Sequence, residues 1–381
     1  MRSRRWLSLI VCAAILVTVT AGLPSAWAQI STINLAAGSP ADVDLQAIAK
    51  EGDAAKQKAM YIEFVAKYAA EPQAAAYGYS QLAQIAFAAG DAGQALEYGE
   101  KSLAAQPGNL EMILSQVQFA QNLKLTDRIV DYAARGAQVI HGIGTQAKPA
   151  GMSDDQFKSD NDQQRRSSQP AYDFLHAAAY SAITTEQDPD KRWKEIARFD
   201  AAFPGSQFAE PAAQLAMYAL QQKGDYAQLA KYGARMAAAY PRSLSILGLL
   251  AGMLAEDPKR AYDAVAVGYG RRAADVAAGM DLGSDPAKKL AAGLAHGALG
   301  WVYMKQGKTG ASIGEFRTAA ALVQGNEAAY STVMYRLGFA YAKLRDYPSA
   351  RAVLNKCAAV KGPYQQESKR LLVKVNAVAP R

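Results

Sequence analysis

Several local patterns in this 381-residue chain set reactive residue types at spacings that chemistry uses. Gly310-Ala-Ser312-Ile-Gly314 has the form of a nucleophile elbow, where a serine on a strand-to-helix turn is activated by a histidine farther along. All three histidines, His141, His176 and His296, precede Ser312, and the flanks have helical periodicity, so the serine lacks its base. Gln306-Gly-Lys-Thr-Gly310 ends like a phosphate loop, but Val302 stands where the first glycine of that cradle belongs. Gly268-Tyr-Gly270 has no preceding strand pattern and fails as a nucleotide fingerprint. Asp160-Asn161-Asp162 offers carboxylates for calcium, yet Arg165 occupies the sharp-turn place and no acid follows at the twelfth. The histidines are too scattered to share a metal, and Cys357 falls at a small, core-type position. These residues predict no catalytic group, no metal, no cofactor and no enzyme activity.

What positions these residues is a repeat. In Ala76–Asn109, "AYGYSQLAQIAFAAGDAGQALEYGEKSLAAQPGN", Ala83 is followed after seven residues by Gly90, after five more by Ala95, and after twelve by Pro107. The same ladder reappears as Met217, Gly224, Leu229, Pro241, as Gly300, Gly307, Ser312, Gln324, and as Gly338, Arg345, Ala350, Gly362. A fixed 34-residue period marks stacked units that each bury their apolar face only against neighbours. Leu82, Ala83 and Ala86 share one face of a first helix and can meet Ala95, Leu96 and Leu103 of a second. Ala83 and Ala95 keep the crossing narrow, Gly90 relieves the turn, and Pro107 stops the second helix. Tyr98 and Tyr232 are large enough to reach the neighbouring pair. The fold class expected is all-α, an α-solenoid of antiparallel helix pairs.

Composition agrees, being half hydrophobic, one-fifth charged and rich in the helix former alanine. Residues 1–28 read as a separate object. Arg2, Arg4 and Arg5 precede an apolar stretch from Trp6 to Thr20, then Gly22, Pro24 and small residues Ala26 and Ala28. That is a secretory signal peptide cut after Ala28, too short to span a bilayer, and it predicts a periplasmic or secreted product without stable membrane insertion. Cys12 follows Val11 inside the apolar stretch and does not fit a lipidation site. Without residues 1–28 the chain has 39 basic and 34 acidic residues, a mild excess that does not form the basic stripe of a nucleic-acid binder. Cys357 is then the single cysteine, which excludes an internal disulfide.

Residues 29–40 read as a linker and 41–143 as N-terminal repeats, with Leu123-Lys124-Leu125 replacing a glycine turn. Residues 144–170 read as a polar, solvent-facing loop and helix opened by a Ser153/Gln156 capping box. C-terminal repeats occupy 171–364. A capping helix and tail follow at 365–381, with Lys369, Arg370 and Lys374 on one side.

With these residues the chain resembles the tetratricopeptide repeat family, most clearly at 76–109, 210–243, 293–326 and 331–364. "FPGS" at 203–206 and "YPRS" at 240–243 are similar to exported repeat proteins of bacterial cell envelopes, including a lipoprotein of outer-membrane insertion machinery, whose lipidated cysteine this chain lacks. The resemblance implies a right-handed superhelix whose first helices line a concave groove through repeat places 2, 5, 9, 12 and 13. On this chain those places hold Tyr77, Ser80, Gln84 and Phe87, then Gln118, Gln121 and Asn122, then Tyr218, Gln221 and Gln222. Farther on they hold Trp301, Lys305, Tyr335, Phe339 and Lys343. Aromatics with amides suit an extended peptide, and Lys305 with Lys343 would favour an acidic segment. Trp301 and Phe339 could equally pack between repeats. The family's carboxylate clamp of lysine and asparagine is missing at Ser80 and Gln84. The function expected is a non-catalytic scaffold for protein or peptide partners. Envelope assembly, or recognition of cell-wall polymer for an enzyme complex, are the alternatives.

The ladder makes a direct prediction. Ala95→Leu or Ala350→Leu should overpack a helix crossing and cost about 1–3 kcal/mol in chemical denaturation. Mutants that melt with the parent would show that the register is wrong.

Overall fold

A computed structural model describes residues 33–378. The expected leader over 1–28, its cleavage point and the last three residues lie outside the described residues. Among the described residues there are seventeen helices and no strand. They run in pairs: α1 (Pro40–Lys50) with α2 (Ala54–Lys67), α3 (Pro72–Ala88) with α4 (Ala92–Ala105), and α5 (Leu110–Asn122) with α6 (Thr126–His141). Next come α7 (Asp154–Thr185) with α8 (Pro189–Ala202), α9 (Ala209–Gln222) with α10 (Tyr226–Ala239), and α11 (Leu244–Leu254) with α12 (Asp263–Ala278). The last are α13 (Pro286–Lys305) with α14 (Thr309–Leu322), α15 (Glu327–Lys343) with α16 (Tyr347–Ala359), and α17 (Gln365–Val378). Helices pack on their neighbours in sequence, and α11 also lies tightly along α13. This is an α-solenoid.

The turn between paired helices is one chemical device used repeatedly. Gly90, Lys124, Gly224, Gly307 and Arg345 all adopt positive φ, at 84°, 56°, 68°, 78° and 62°. The next residue donates its N–H five residues back, as in Asp91 to Ala86 O at 2.9 Å and Asp346 to Tyr341 O at 3.0 Å, which closes the helix end. The aspartates Asp91, Asp225 and Asp346 then cap the second helix, accepting from the N–H of Gln94, Gln228 and Ser349.

Small residues set the crossings. Ala83, Ala95 and Ala350 are fully enclosed. A β-carbon on Gly300 would stand 2.7 Å from the Phe316 ring, and one on Gly338 2.6 Å from Leu354. The glycines of the ladder thus admit a large side chain from the partner helix. Large side chains work between pairs: the Tyr132 hydroxyl donates to Glu100 at 2.5 Å. Tyr232, on α10, reaches back to α8, edge-on to Trp193 with centroids 5.1 Å apart. Tyr98 packs on both the N-terminal and the main core.

One segment differs from the sequence reading. The polar helix expected within 144–170 does not end before the next repeat but continues through Pro170 as the 32-residue α7. An internal proline costs roughly 3 kcal/mol. The extension is held down at its other end, where the Asn161 side chain bonds Gln146 at 3.1 Å and Arg165 donates to the Ile143 carbonyl. Asn161 and Ser168 are buried, so this insertion is docked and does not simply face solvent. Ser153 does cap it, accepting from Gln156 N–H at 3.1 Å. Within the regular repeats α11 is the most enclosed helix, with nine of its eleven residues buried, apolar all round because it lies inside the stack.

Lys124 and Arg345 carry a β-carbon where glycine is unstrained. Lys124→Gly and Arg345→Gly should each stabilise the fold by about 0.5–1 kcal/mol, the left-handed penalty less the added chain entropy. Denaturant midpoints that fall in both variants would contradict this.

Candidate functional site

Four successive first helices, α9, α11, α13 and α15, together wall a cavity of about 540 Å³. Leu249 and Met253 of α11, Leu294 of α13 and Val333 of α15 give it an apolar lining, with Tyr218 and Gln221 of α9 at one side. Its breadth comes from missing side chains. Gly252 and Gly297 lie on the wall, and a β-carbon on Gly252 would meet nothing within 4 Å. Tyr218 is 42% exposed on the rim, and its partial burial pushes the phenol up from its usual value, so it remains a neutral hydrogen-bonding group.

The polar end of the cavity is built from charges already paired. Arg336 of α15 is nearly enclosed, stacks on Trp301 of α13 at 4.4 Å from the ring centroid, and bonds Glu256 at 2.7 Å. Lys305 of α13 donates to the Ala255 carbonyl at 2.9 Å and pairs with the Asp263 carboxylate. Ala255 caps the C-terminal end of α11, so a cation there satisfies the negative end of that helix. Trp301, Lys305 and Arg336 therefore bind α11, α13 and α15 to one another. Trp301 packs against both the main core and the C-terminal core. The acidic-segment contact expected of Lys305 has no free ammonium to make it.

The remaining expected residues are scattered along the solenoid. Tyr335 turns toward the C-terminal end and stacks on Tyr364 with centroids 4.7 Å apart. Phe339 and Lys343 are exposed on α15 but do not line the cavity. Gln222 is exposed one residue past Gln221. At the N-terminal end, Tyr77 is half-buried in its own core cluster and Phe87 packs on Phe119 at 4.6 Å. Gln84 is exposed and donates to Ser115 Oγ at 3.1 Å, and Gln118 and Gln121 are exposed on α5. Of the residues named from sequence, the cavity gathers Tyr218 and Gln221. Gly252, Leu294 and Gly297 fall at places 9, 2 and 5 of their repeats. They carry no polar or aromatic mark, so spacing alone could have found them and residue type could not.

The isolated chemical motifs are structural. Ser312 is fully buried and donates to the Thr309 carbonyl at 2.7 Å. The buried Cys357 thiol donates to the Ser331 carbonyl at 3.2 Å. His176 lies among Phe199, Phe203 and Phe208, and burial lowers its basicity, while His296 bonds Glu315 at 2.7 Å. Among the described residues no group of three or more His, Cys, Asp or Glu could hold a metal ion, and no helix is long and apolar enough to cross a membrane.

The fold and groove define the chain as an α-solenoid of stacked antiparallel helix pairs. Its overall course is similar to that of the yeast Tom70 crystal structure, at 10% identity and a TM-score of 0.39, covering 91% of this chain and 66% of that one. It is also similar to the P58(IPK) TPR domain, at 14% identity and a TM-score of 0.32, over 89% of this chain and 98% of that one. The Cut9–Hcn1 hetero-tetramer of APC/C gives 15% identity and a TM-score of 0.28, over 90% and 84% of the two chains. No protein-family model matches the chain, and no curated protein matches it.

Lys305 and Lys343 should behave differently on substitution. Lys305→Met removes one of the two cations on Asp263, leaving Arg260 at 3.1 Å, and takes the donor from the Ala255 carbonyl; it should cost about 1–3 kcal/mol. Lys343→Met should stay within about 0.5 kcal/mol of the parent. Equal losses in urea denaturation would refute the assignment.

Proposed function

We propose that this chain is a non-catalytic scaffold that receives a protein or peptide partner in the groove across α9, α11, α13 and α15. The observation that carries this reading is the shared cavity itself: a largely apolar-walled cleft about 540 Å³ in volume, with Tyr218 and Gln221 at one side and the Arg336–Glu256 pair at its polar end. A cleft of that size accepts one or two apolar side chains, and Tyr218 and Gln221 offer hydrogen bonds to the backbone that carries them. The basic and apolar leader over residues 1–28 supports a place of action in the periplasm or outside the cell. Buried Cys357, the single cysteine beyond that leader, is compatible with an oxidising compartment.

A second reading, recognition of cell-wall polymer or a part in envelope assembly, draws on the exposed neutral amides Gln84, Gln118 and Gln121 near the other end. Those groups could bond hydroxyls as readily as peptide.

Gly252→Phe tests the groove without disturbing the core, because its side chain grows into open space. The mature chain and this variant are used to capture bound species from the native envelope. The variant should keep its helicity and its denaturation midpoint but lose at least tenfold in the amount of partner retained. Undiminished retention removes this cleft from the function, and retention of polysaccharide in place of protein selects the second reading.

A further inference from the structure

Where the insertion interrupts the repeat register, α6, α7 and α8 meet around a carboxyl group in an unusual position. Glu195 of α8 is 2% exposed, and neither of its oxygens has a hydrogen-bond partner. The Thr126 hydroxyl, at the first residue of α6, is committed to Glu186 at 2.5 Å. Glu186, the residue that ends α7, also accepts from the N–H groups of Gln187 and Asp188. Arg192 sits one turn before Glu195 but sends its guanidinium to the Glu186 carbonyl, and its own Nε is enclosed without a partner. The junction therefore holds a carboxyl group with no cation bonded to it and acids on two sides.

We infer that Glu195 is a protonation-controlled latch: neutral, it seals the α6–α7–α8 junction, and ionised, it loosens the joint between the two halves of the solenoid. The charged groups around it set the direction. From α6 come Asp127, whose charge opposes ionisation, and Asp131, which is paired with Arg198 of α8. Glu186 at the end of α7 adds a second negative charge, and Lys191 on α8 itself gives the counteracting attraction. From α9 the C-terminal Lys223 is occupied by Asp190, and Glu210 at its other end bonds Ser243. Burial dominates and pushes the carboxyl from its usual value up to about 7; the nearby Thr126 hydroxyl, whose proton is given to Glu186, opposes the rise, and Glu186 and Asp127 add to it.

The sign follows from linkage. The closed junction binds a proton that the opened one releases, so protection is complete below about pH 4.5 and declines as pH rises toward 7. One buried carboxylate without a cation, at a joint whose neighbours are already acidic, makes opening progressively easier across that interval.

The experiment is amide exchange of the full mature chain, followed by mass spectrometry, on segments 126–141 and 189–202, with intrinsic rates corrected at each pH. Between pH 5 and pH 8 the wild type should lose protection there by a factor on the order of 100. Segments 309–322 and 347–359 should not change. Glu195→Gln should stay protected at both pH values, and Asp127→Asn should move the midpoint to lower pH. A loss that persists in Glu195→Gln, or a wild type with no loss, overturns the latch. If Glu195→Gln fails to fold, the midpoint in Asp127→Asn decides, because a position equal to the wild type's is incompatible with ionisation beside Asp127.

Discussion

No pair of helices in this chain can bury its own apolar face, and everything else in the structure follows from that shortage. Each pair exposes a stripe that only the next pair covers, so the core is a continuous seam and not a ball. The seam is joined at a few aromatics that belong to two clusters at once: Tyr98 near the start, Trp301 between the main and C-terminal cores, and Tyr335 toward the last helix. Between these joints the crossings are made from alanine and glycine, because the helices must come close for a small side chain to reach anything. The most enclosed helix, α11, shows the limit: a β-carbon on Gly248 would stand 2.4 Å from the Ala291 carbonyl, so α11 and α13 meet backbone to backbone.

That close contact also creates the cleft. Where first helices lie side by side with glycine at their inner places, the surface between them sinks, and α9, α11, α13 and α15 share the depression. Its charged end is an example of how a solenoid spends polar side chains. The end of α11 leaves carbonyls that need donors; Lys305 of α13 donates to that of Ala255, and Arg336 of α15 bonds the Glu256 carboxylate just beyond it. Lys305, which looks from sequence like a ligand contact, is used up in joining repeats. The polar groups left to a partner are neutral ones, Tyr218 and Gln221, and the attraction is mostly apolar.

The interruption at α7 has the opposite character. An added polar helix fused to the repeat helix through Pro170 breaks the regular stacking, and α8 must pack against α6 across it. Buried polar groups collect at the mismatch, among them Arg192, Glu195 and the hydroxyl of Thr126.

Read as a sequence, the chain already determined its architecture. The spacing of Ala83, Gly90, Ala95 and Pro107 encodes two helices, the turn and the crossing, since each depends on local backbone geometry and on residue size. Asp91, Asp225 and Asp346 as helix caps are equally local. What spacing could not decide was which way Trp301, Lys305 and Tyr335 turn, because the answer lies with residues tens of positions away: Arg336, Asp263 and Tyr364. Gly252 and Leu294 stand at groove places of the repeat, but their residue types carry no mark of a cleft, since a cavity is defined by what surrounds it. Helices form from contacts within a few residues, whereas a binding surface and a buried charge are set by neighbours that only the stacked chain brings together.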